Sequence, residues 1–156
     1  MNIKNIYAFD FDNTFVKQPD IYKWNPMADE EDNDYMESTK SLDYKFEIND
    51  EIKEQFLKAQ NCEESLAVIL TNRTIKLRNE VLDILSDHGI SFDATLFRIA
   101  DRSKGNRLDC FLRTISGFHT IENVHFWDDK TKHINDVERI TEKHPDINFE
   151  LTLYKY

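Results

Sequence analysis

The sequence predicts an α/β fold, a doubly wound, mostly parallel five-stranded sheet with helices on both faces, and three observations carry that prediction. Five short apolar runs (6–9, 66–70, 95–99, 124–127 and 147–153) alternate with stretches whose apolar residues recur at helical spacing, the pattern left by parallel strands joined through covering helices. The length, 156 residues, suits one core of ordinary size, so a single domain spanning 1–156 is expected. Finally, 40% hydrophobic and 32% charged residues with only 3 Gly and 3 Pro describe a chain able to bury that core, which excludes collagenous, mucin-like and wholly disordered classes.

The run 6–9 opens the sheet and passes directly into Asp10-Phe11-Asp12-Asn13-Thr14. The alternation is then lost over about 16–50, which is acid-rich (ADEEDND at 28–34) yet carries Tyr22, Trp24, Tyr35, Tyr44 and Phe46. A loop this long inside a compact domain is commonly functional, so an inserted flap is expected, with a disordered acidic loop as the alternative; Tyr22, Trp24 and Tyr35 would pin it to the domain or stack on a base or sugar. Ile52, Phe56 and Leu57 mark the first helix, leading to the strand at 66–70. Leu77, Val81, Leu82, Ile84 and Leu85 form the core-facing stripe of a second helix, ended at His88-Gly89 with the glycine as its cap. After the strand at 95–99, Leu108, Phe111, Leu112 and Ile115 mark a third helix closed by Gly117. The strand at 124–127 and a fourth helix on Ile134, Val137 and Ile140, closed before Pro145, lead to the last strand.

Composition excludes several functions. No apolar run approaches the roughly 20 residues of a membrane span, and the first residues lack the unbroken apolar stretch of a signal peptide, so a soluble, cytoplasmic protein without membrane partners is expected. Cys62 and Cys110 are too few and too isolated for a disulfide framework or a zinc site, and read as reduced, buried thiols. Asp and Glu number 30 against 20 Lys and Arg, a formal charge of -10, which argues against tight nonspecific nucleic-acid binding but leaves room for a local basic cleft.

The chemistry-bearing residues fall where strands end or helices begin, and ligands of open parallel sheets bind outside the carboxyl ends of the strands. Along extended chain Asp10 and Asp12 point the same way, with Phe11 opposite. The second strand ends in Thr71-Asn72-Arg73, the third helix opens at Ser103-Lys104-Gly105-Asn106-Arg107, and the fourth strand ends in Asp128-Asp129. Acid, hydroxyl, cation and acid thus converge, as phosphoryl transfer requires, since its catalysis is mostly positioning and neutralisation of charge. Asp10 suits the nucleophile that forms an aspartyl-phosphate. Asp12 suits the acid that protonates the leaving alkoxide and the base that then activates water. Magnesium would be held by Asp10 with Asp128 or Asp129, and by the backbone carbonyl of Asp12. Thr71 and Lys104 would hold phosphoryl oxygens, while Thr14, Asn72, Arg73 and Arg107 are candidate substrate contacts. Arg73 would clamp a phosphate or pair with flap acids. His133, in the last helix, reads as a solvated surface group outside the catalytic set.

At these residues the chain resembles the haloacid dehalogenase-like (HAD) phosphatase superfamily, whose first motif is DxDxT after a strand, followed by Ser or Thr, then Lys, then paired acids. DFDNT, VILTNR, Lys104 and HFWDDKTKH occur in that order. Within the superfamily, FVKQPDIYKW, LTNR and WDDKTKH are similar to Swiss Army Knife RNA-repair-like HAD domains and to the phosphatase half of polynucleotide kinase-phosphatases. The resemblance implies a Rossmann-like HAD fold with a minimal cap and a magnesium-dependent phosphomonoesterase. Its substrate would be a phosphorylated small molecule, nucleotide or nucleic-acid end. Lys104 and Arg107 both remain candidates for the lysine of the third motif. The competing reading is a phosphoryl-accepting signalling or binding domain of the same fold without turnover. Receiver domains, however, place their acceptor on a middle strand, not the first.

Overall fold

The computed structural model describes residues 2–17, 42 and 45–155. Strand β1 (Asn5–Phe9) is followed by a short antiparallel pair, β2 (Val16–Lys17) with β3 (Glu47–Ile48). Helices and strands then alternate as α1 (Asp50–Gln60), β4 (Ser65–Thr74), α2 (Arg78–Asp87), β5 (Ala94–Arg98), α3 (Lys104–Ile115), β6 (Asn123–Asp128), α4 (Thr131–Ile140) and β7 (Asn148–Leu153). The five long strands form one sheet in the order β5-β4-β1-β6-β7, with every neighbouring pair parallel.

Period-2 alternation along the strands sorts the core into two layers. In β4, Ala67 and Ile69 join Ile52 and Phe56 of α1 and Val81 and Leu85 of α2, whereas Val68 and Leu70 join Leu108 and Leu112 of α3 and Val137 and Ile140 of α4. Strand β1 divides likewise, Phe9 going to the first layer and Ile6 and Ala8 to the second. Burying such a side chain contributes about 1.5–3 kcal/mol, so these layers, more than helix propensity, hold the helices on the sheet.

The order of addition creates the crevice. From β1 the chain builds outward through β4 to β5, then returns to add β6 and β7 on the other side. Connections therefore leave β1's two neighbours on opposite faces, and a cleft opens at the carboxyl ends of β1, β4 and β6.

Local chemistry fixes the element ends. At the end of α2, Gly89 sits at φ 73°, where a side chain would be strained, and the amides of Gly89 and Ile90 donate to the carbonyls of Ser86 (2.9 Å) and Leu85 (2.9 Å). At the start of α3, the Ser103 side chain accepts from the Asn106 amide at 3.2 Å.

Several expectations change. Strand β4 continues past the apolar run through Thr71, Asn72, Arg73 and Thr74, with a register shift against β5 between Leu70 and Thr74. Polar side chains hide this extension from any hydrophobic pattern. Leu57 is 44% exposed and is no part of the core stripe of α1. Cys62 and Cys110 are free but only half-buried. The expected flap begins and ends in the β2–β3 pair, with Leu42 and Phe46 buried in the core. Tyr22, Trp24, Tyr35, Tyr44 and the acids at 28–34 lie outside the described residues. Among the described residues, no helix is long and apolar enough to cross a membrane.

Candidate active site

Strand β1 delivers Asp10 into a closed turn. The Asp10 amide donates to the Trp127 carbonyl of β6 (3.0 Å), while the amides of Phe15 and Val16 return to the carbonyls of Asp10 (3.1 Å) and Phe11 (3.0 Å). Asn13 takes φ 60°, a left-handed conformation that asparagine tolerates better than most residues. Phe11 and Phe15 are fully buried beneath the turn and anchor it. The Thr14 hydroxyl donates to Asp10 Oδ2 (2.9 Å), and Asn49 Nδ2 donates to the Thr14 carbonyl (3.1 Å). Asp10 and Asp12 are thereby held at 1% exposure each.

Two cations from different elements meet these acids. Lys104, the first residue of α3, places Nζ 2.7 Å from Asp10 Oδ1 and 2.7 Å from Asp128 Oδ2. Arg73, fully buried on β4, grips Asp12 in a fork, Nε to Oδ2 at 2.9 Å and Nη2 to Oδ1 at 2.8 Å. Arg73 thus has an acid partner from the first motif, where the sequence suggested a phosphate or flap acids. Thr71 is buried, and its Oγ1 accepts from the Arg73 amide at 3.1 Å, a bond that does not use the hydroxyl proton.

Arg107 is placed differently. Its guanidinium donates to the carbonyls of Thr71 (2.6 Å), Leu96 (2.9 Å) and Arg102 (3.2 Å) and to Asn72 Oδ1. Burial first, and the nearby Arg98 charge second, lower its pKa to about 10. It ties the ends of β4 and β5 to α3, whereas Lys104 stands among the acids.

The end of β6 supplies the remaining groups. Burial alone would raise the Asp128 carboxyl, but Lys104 and His133 overcome it and hold that group well below the usual carboxylate range. Burial, then the Asp128 charge, pushes Asp129 up to about 6. Asp10, Asp128 and Asp129 each offer an oxygen, all within 4.8 Å of one another, and Asp129 Oδ1 is buried with no hydrogen-bond partner among the described residues. Crowded carboxylates with an unsatisfied buried oxygen fit a hard divalent cation, whose charge would relieve their repulsion.

His133 is the residue the sequence reading misjudged. It is 7% exposed, not a surface group. Asn72 Oδ1 accepts from Arg107, so Asn72 Nδ2 faces His133 Nε2 at 3.2 Å as a donor, and His133 Nδ1 is left to donate to Asp128 Oδ1 at 3.3 Å. Burial lowers the imidazole pKa, consistent with that neutral tautomer. The available signal was its position five residues after Asp128, one turn into a helix that starts at the site. The structure therefore brings Asp10, Asp12, Thr14, Thr71, Asn72, Arg73, Lys104, Asp128 and Asp129 to one cleft, adds His133, and sets Arg107 behind them.

The family described as HAD domain family 1 in Swiss Army Knife RNA repair proteins matches residues 16–152, a segment that starts just after the turn carrying Asp10 and Asp12. Among solved structures, a chain of the Pnkp1/Rnl/Hen1 complex is similar at TM-score 0.64 and 15% identity, over 99% of this chain and 47% of that one. A chain of the Pnkp1/Rnl/Hen1 RNA repair complex matches at 0.64 and 16%, over 99% and 43%. The HAD domain of effector protein Lem4 from Legionella pneumophila, as an inactive mutant, matches at 0.63 and 12%, over 99% and 87%. At such identities the likeness is one of fold, and this chain spans less than half the length of the two RNA-repair-complex chains. No curated protein matches the chain.

Proposed function

The chain belongs to the HAD domain family of Swiss Army Knife RNA repair proteins, and from that premise we propose that it is a magnesium-dependent phosphomonoesterase acting through an aspartyl-phosphate on Asp10. Nucleotides or nucleic-acid ends are its substrates. The observation that carries this reading is the position of Asp10, at the carboxyl end of the central strand, 2.7 Å from Lys104 and within one cluster with Asp128 and Asp129.

In this reading, a carboxylate oxygen of Asp10 attacks phosphorus as the bond to the leaving alkoxide breaks, and Asp12 delivers a proton to that alkoxide. Water then attacks the phosphorus of the acyl phosphate, Asp12 takes its proton, and the bond to Asp10 breaks to release phosphate. Arg73 fixes the Asp12 carboxylate through one lone pair on each oxygen, leaving another for the proton in transit. Lys104 and the Thr71 hydroxyl hold the phosphoryl oxygens, Lys104 acting as a compact point charge. Asp10, Asp128, Asp129 and the main-chain carbonyl of Asp12 would hold magnesium, which when bound neutralises phosphoryl charge. His133 keeps Asp128 turned toward that position. The two free thiols fit a reducing compartment, the cytoplasm. Likeness in fold to part of an RNA repair complex supports the nucleic-acid end over other phosphoesters.

The test is phosphate release from small phosphoesters, nucleoside monophosphates and 5′- or 3′-phosphorylated oligonucleotides, with and without magnesium. Release should stop on chelation and be poorly restored by calcium, which prefers more ligands at longer distances. Turnover that survives exhaustive chelation excludes the metal. Stable labelling of Asp10 with no phosphate released replaces the hydrolase by a phosphoryl-accepting domain.

A further inference from the structure

An apolar cavity of about 570 Å³ lies between the edge strand β5 and helix α3. Its wall includes Leu96, Ile99, Arg107, Cys110 and Phe111. That volume falls in the range of small-molecule sites, which are mostly apolar with a few convergent polar groups. At its mouth Ile75 and Ile99 are 48% and 54% exposed, more apolar surface than a core needs to leave in water. Ala100, also in the wall, holds φ 53°, a conformation that non-glycine residues rarely adopt.

Two features connect this cavity to the site. Arg107 is shared, since it lines the cavity and its guanidinium donates to the Thr71 carbonyl at 2.6 Å. The cavity is therefore one side chain away from a residue of the catalytic cleft. The second feature is charge. In a chain of net charge -10, the two segments that border the cavity, 75–78 and 99–102, carry the exposed cations Lys76, Arg78 and Arg102 against one exposed acid, Asp101, outside the acid cluster that Lys104 serves. A single reacting phosphate does not need them. A ligand suited to the whole arrangement has a flat apolar body and more than one phosphate, joined in a chain.

Resting on the phosphatase reading above, we infer that the cavity between β5 and α3 receives the base of a nucleotide adjoining the reacting phosphate, so that the substrate is the phosphorylated end of a nucleic-acid chain. Phe111 and the aliphatic rim supply the apolar contact, sequence-tolerant because every base has an apolar face. Arg102, Lys76 and Arg78 meet the phosphate that links this nucleotide to the next.

Cys110 reports on the cavity directly, and Cys62 is an internal control, since it does not line the cavity. In the full chain carrying Asp10→Asn, so that the probe survives, the alkylation rate of each thiol is followed by mass spectrometry with 5′- or 3′-phosphorylated tetranucleotides added. At ten times the half-saturating concentration, one of the two should slow Cys110 about ten-fold, with Cys62 unaffected. Inorganic phosphate, which fills only the cleft, should protect neither. In the otherwise unaltered chain, Cys110→Trp should raise KM for the oligonucleotide roughly ten-fold or more while leaving hydrolysis of p-nitrophenyl phosphate unchanged.

The inference is overturned if neither oligonucleotide protects Cys110, if a phosphotyrosine peptide protects it equally well, or if protection grows with protein concentration alone, which would mark an interface between copies. Protection of Cys110 by an oligonucleotide, with no hydrolysis of any phosphoester by the unaltered chain, would keep the binding site and remove the phosphatase.

Discussion

Lys104 and Arg107 stand one helical turn apart on α3, yet their heads meet different partners, two carboxylates for the first and three carbonyls with an amide for the second. Replacing each by alanine should separate chemistry from stability. Lys104→Ala removes a cation shared by Asp10 and Asp128, and kcat should fall roughly 10²- to 10³-fold, the scale of a lost charge-stabilising donor. Arg107→Ala removes a donor from the carbonyls of Thr71, Leu96 and Arg102 and from the Asn72 amide, so urea denaturation should show a loss of about 2–4 kcal/mol with a smaller fall in kcat. The reverse ranking would hand the phosphoryl-binding role to Arg107. Asp10→Asn should abolish phosphate release with an unchanged circular dichroism spectrum, because an amide is a far poorer nucleophile. Near-normal turnover in that folded variant would sink the covalent step. Residue types and strand-end positions were legible in the sequence, and so were the acids, Thr71 and Lys104 as candidates. Which cation serves which acid was not. Arg73 and Asp12 are 61 positions apart, and their pairing depends on the lateral neighbourhood of β4 and β1, which no local pattern encodes. His133 failed for the same reason: its partners, Asn72 and Asp128, approach from two different strands.

At the scale of elements, Gly105 shows how helix packing sets the site. Its amide donates to Asp136 Oδ2 of α4 at 2.6 Å, and a Cβ there would overlap the Asp136 carbonyl oxygen, which is backbone and cannot swing away. α3 and α4 therefore approach closely at the residue next to Lys104. Gly105→Ala gains helix propensity but must push α4 aside, and the net outcome should be destabilisation by about 1–3 kcal/mol. It should also lower kcat, because the same shift draws Lys104 away from Asp10 and Asp128. A stabilised, fully active variant would mean that α4 yields without moving the site. The sequence made each helix and strand visible wherever apolar residues recur, and it located Gly89 correctly as a cap. Its apolar run for β4 stops at Leu70, whereas Thr71, Asn72, Arg73 and Thr74 continue the strand, extended and mostly buried without being apolar. Polar residues replace the hydrophobic pattern there, so the apolar run stops where the candidate site begins.

Over the whole molecule, charge and shape act against each other. A net charge of -10 repels a long polyanion, whereas the carboxyl end of β4 and the segment after β5 gather Arg73, Arg98, Arg102 and Lys104. Buried Arg73 and Lys104 are held in ion pairs and half-buried Arg98 in a backbone contact, so attraction at distance comes from exposed Arg102 with Lys76 and Arg78. Few phosphates can then be contacted at once. For about two contacts on a single strand, log K should fall against log salt with a slope near -1.4, or several-fold between roughly 50 and 200 mM salt. KM should improve from nucleoside monophosphate to a short phosphorylated oligonucleotide and then level off, because the net charge of -10 repels each further phosphate. Sugar phosphates, with neither an apolar body nor a second phosphate, should be the poorest substrates and the least sensitive to salt. The measurement is kcat/KM across chain length at two salt concentrations. Should sugar phosphates be preferred and salt have no influence, the nucleic-acid clause falls while phosphate chemistry at Asp10 stands, since nothing in the Asp10, Lys104 and Asp128 arrangement depends on what the phosphate is attached to.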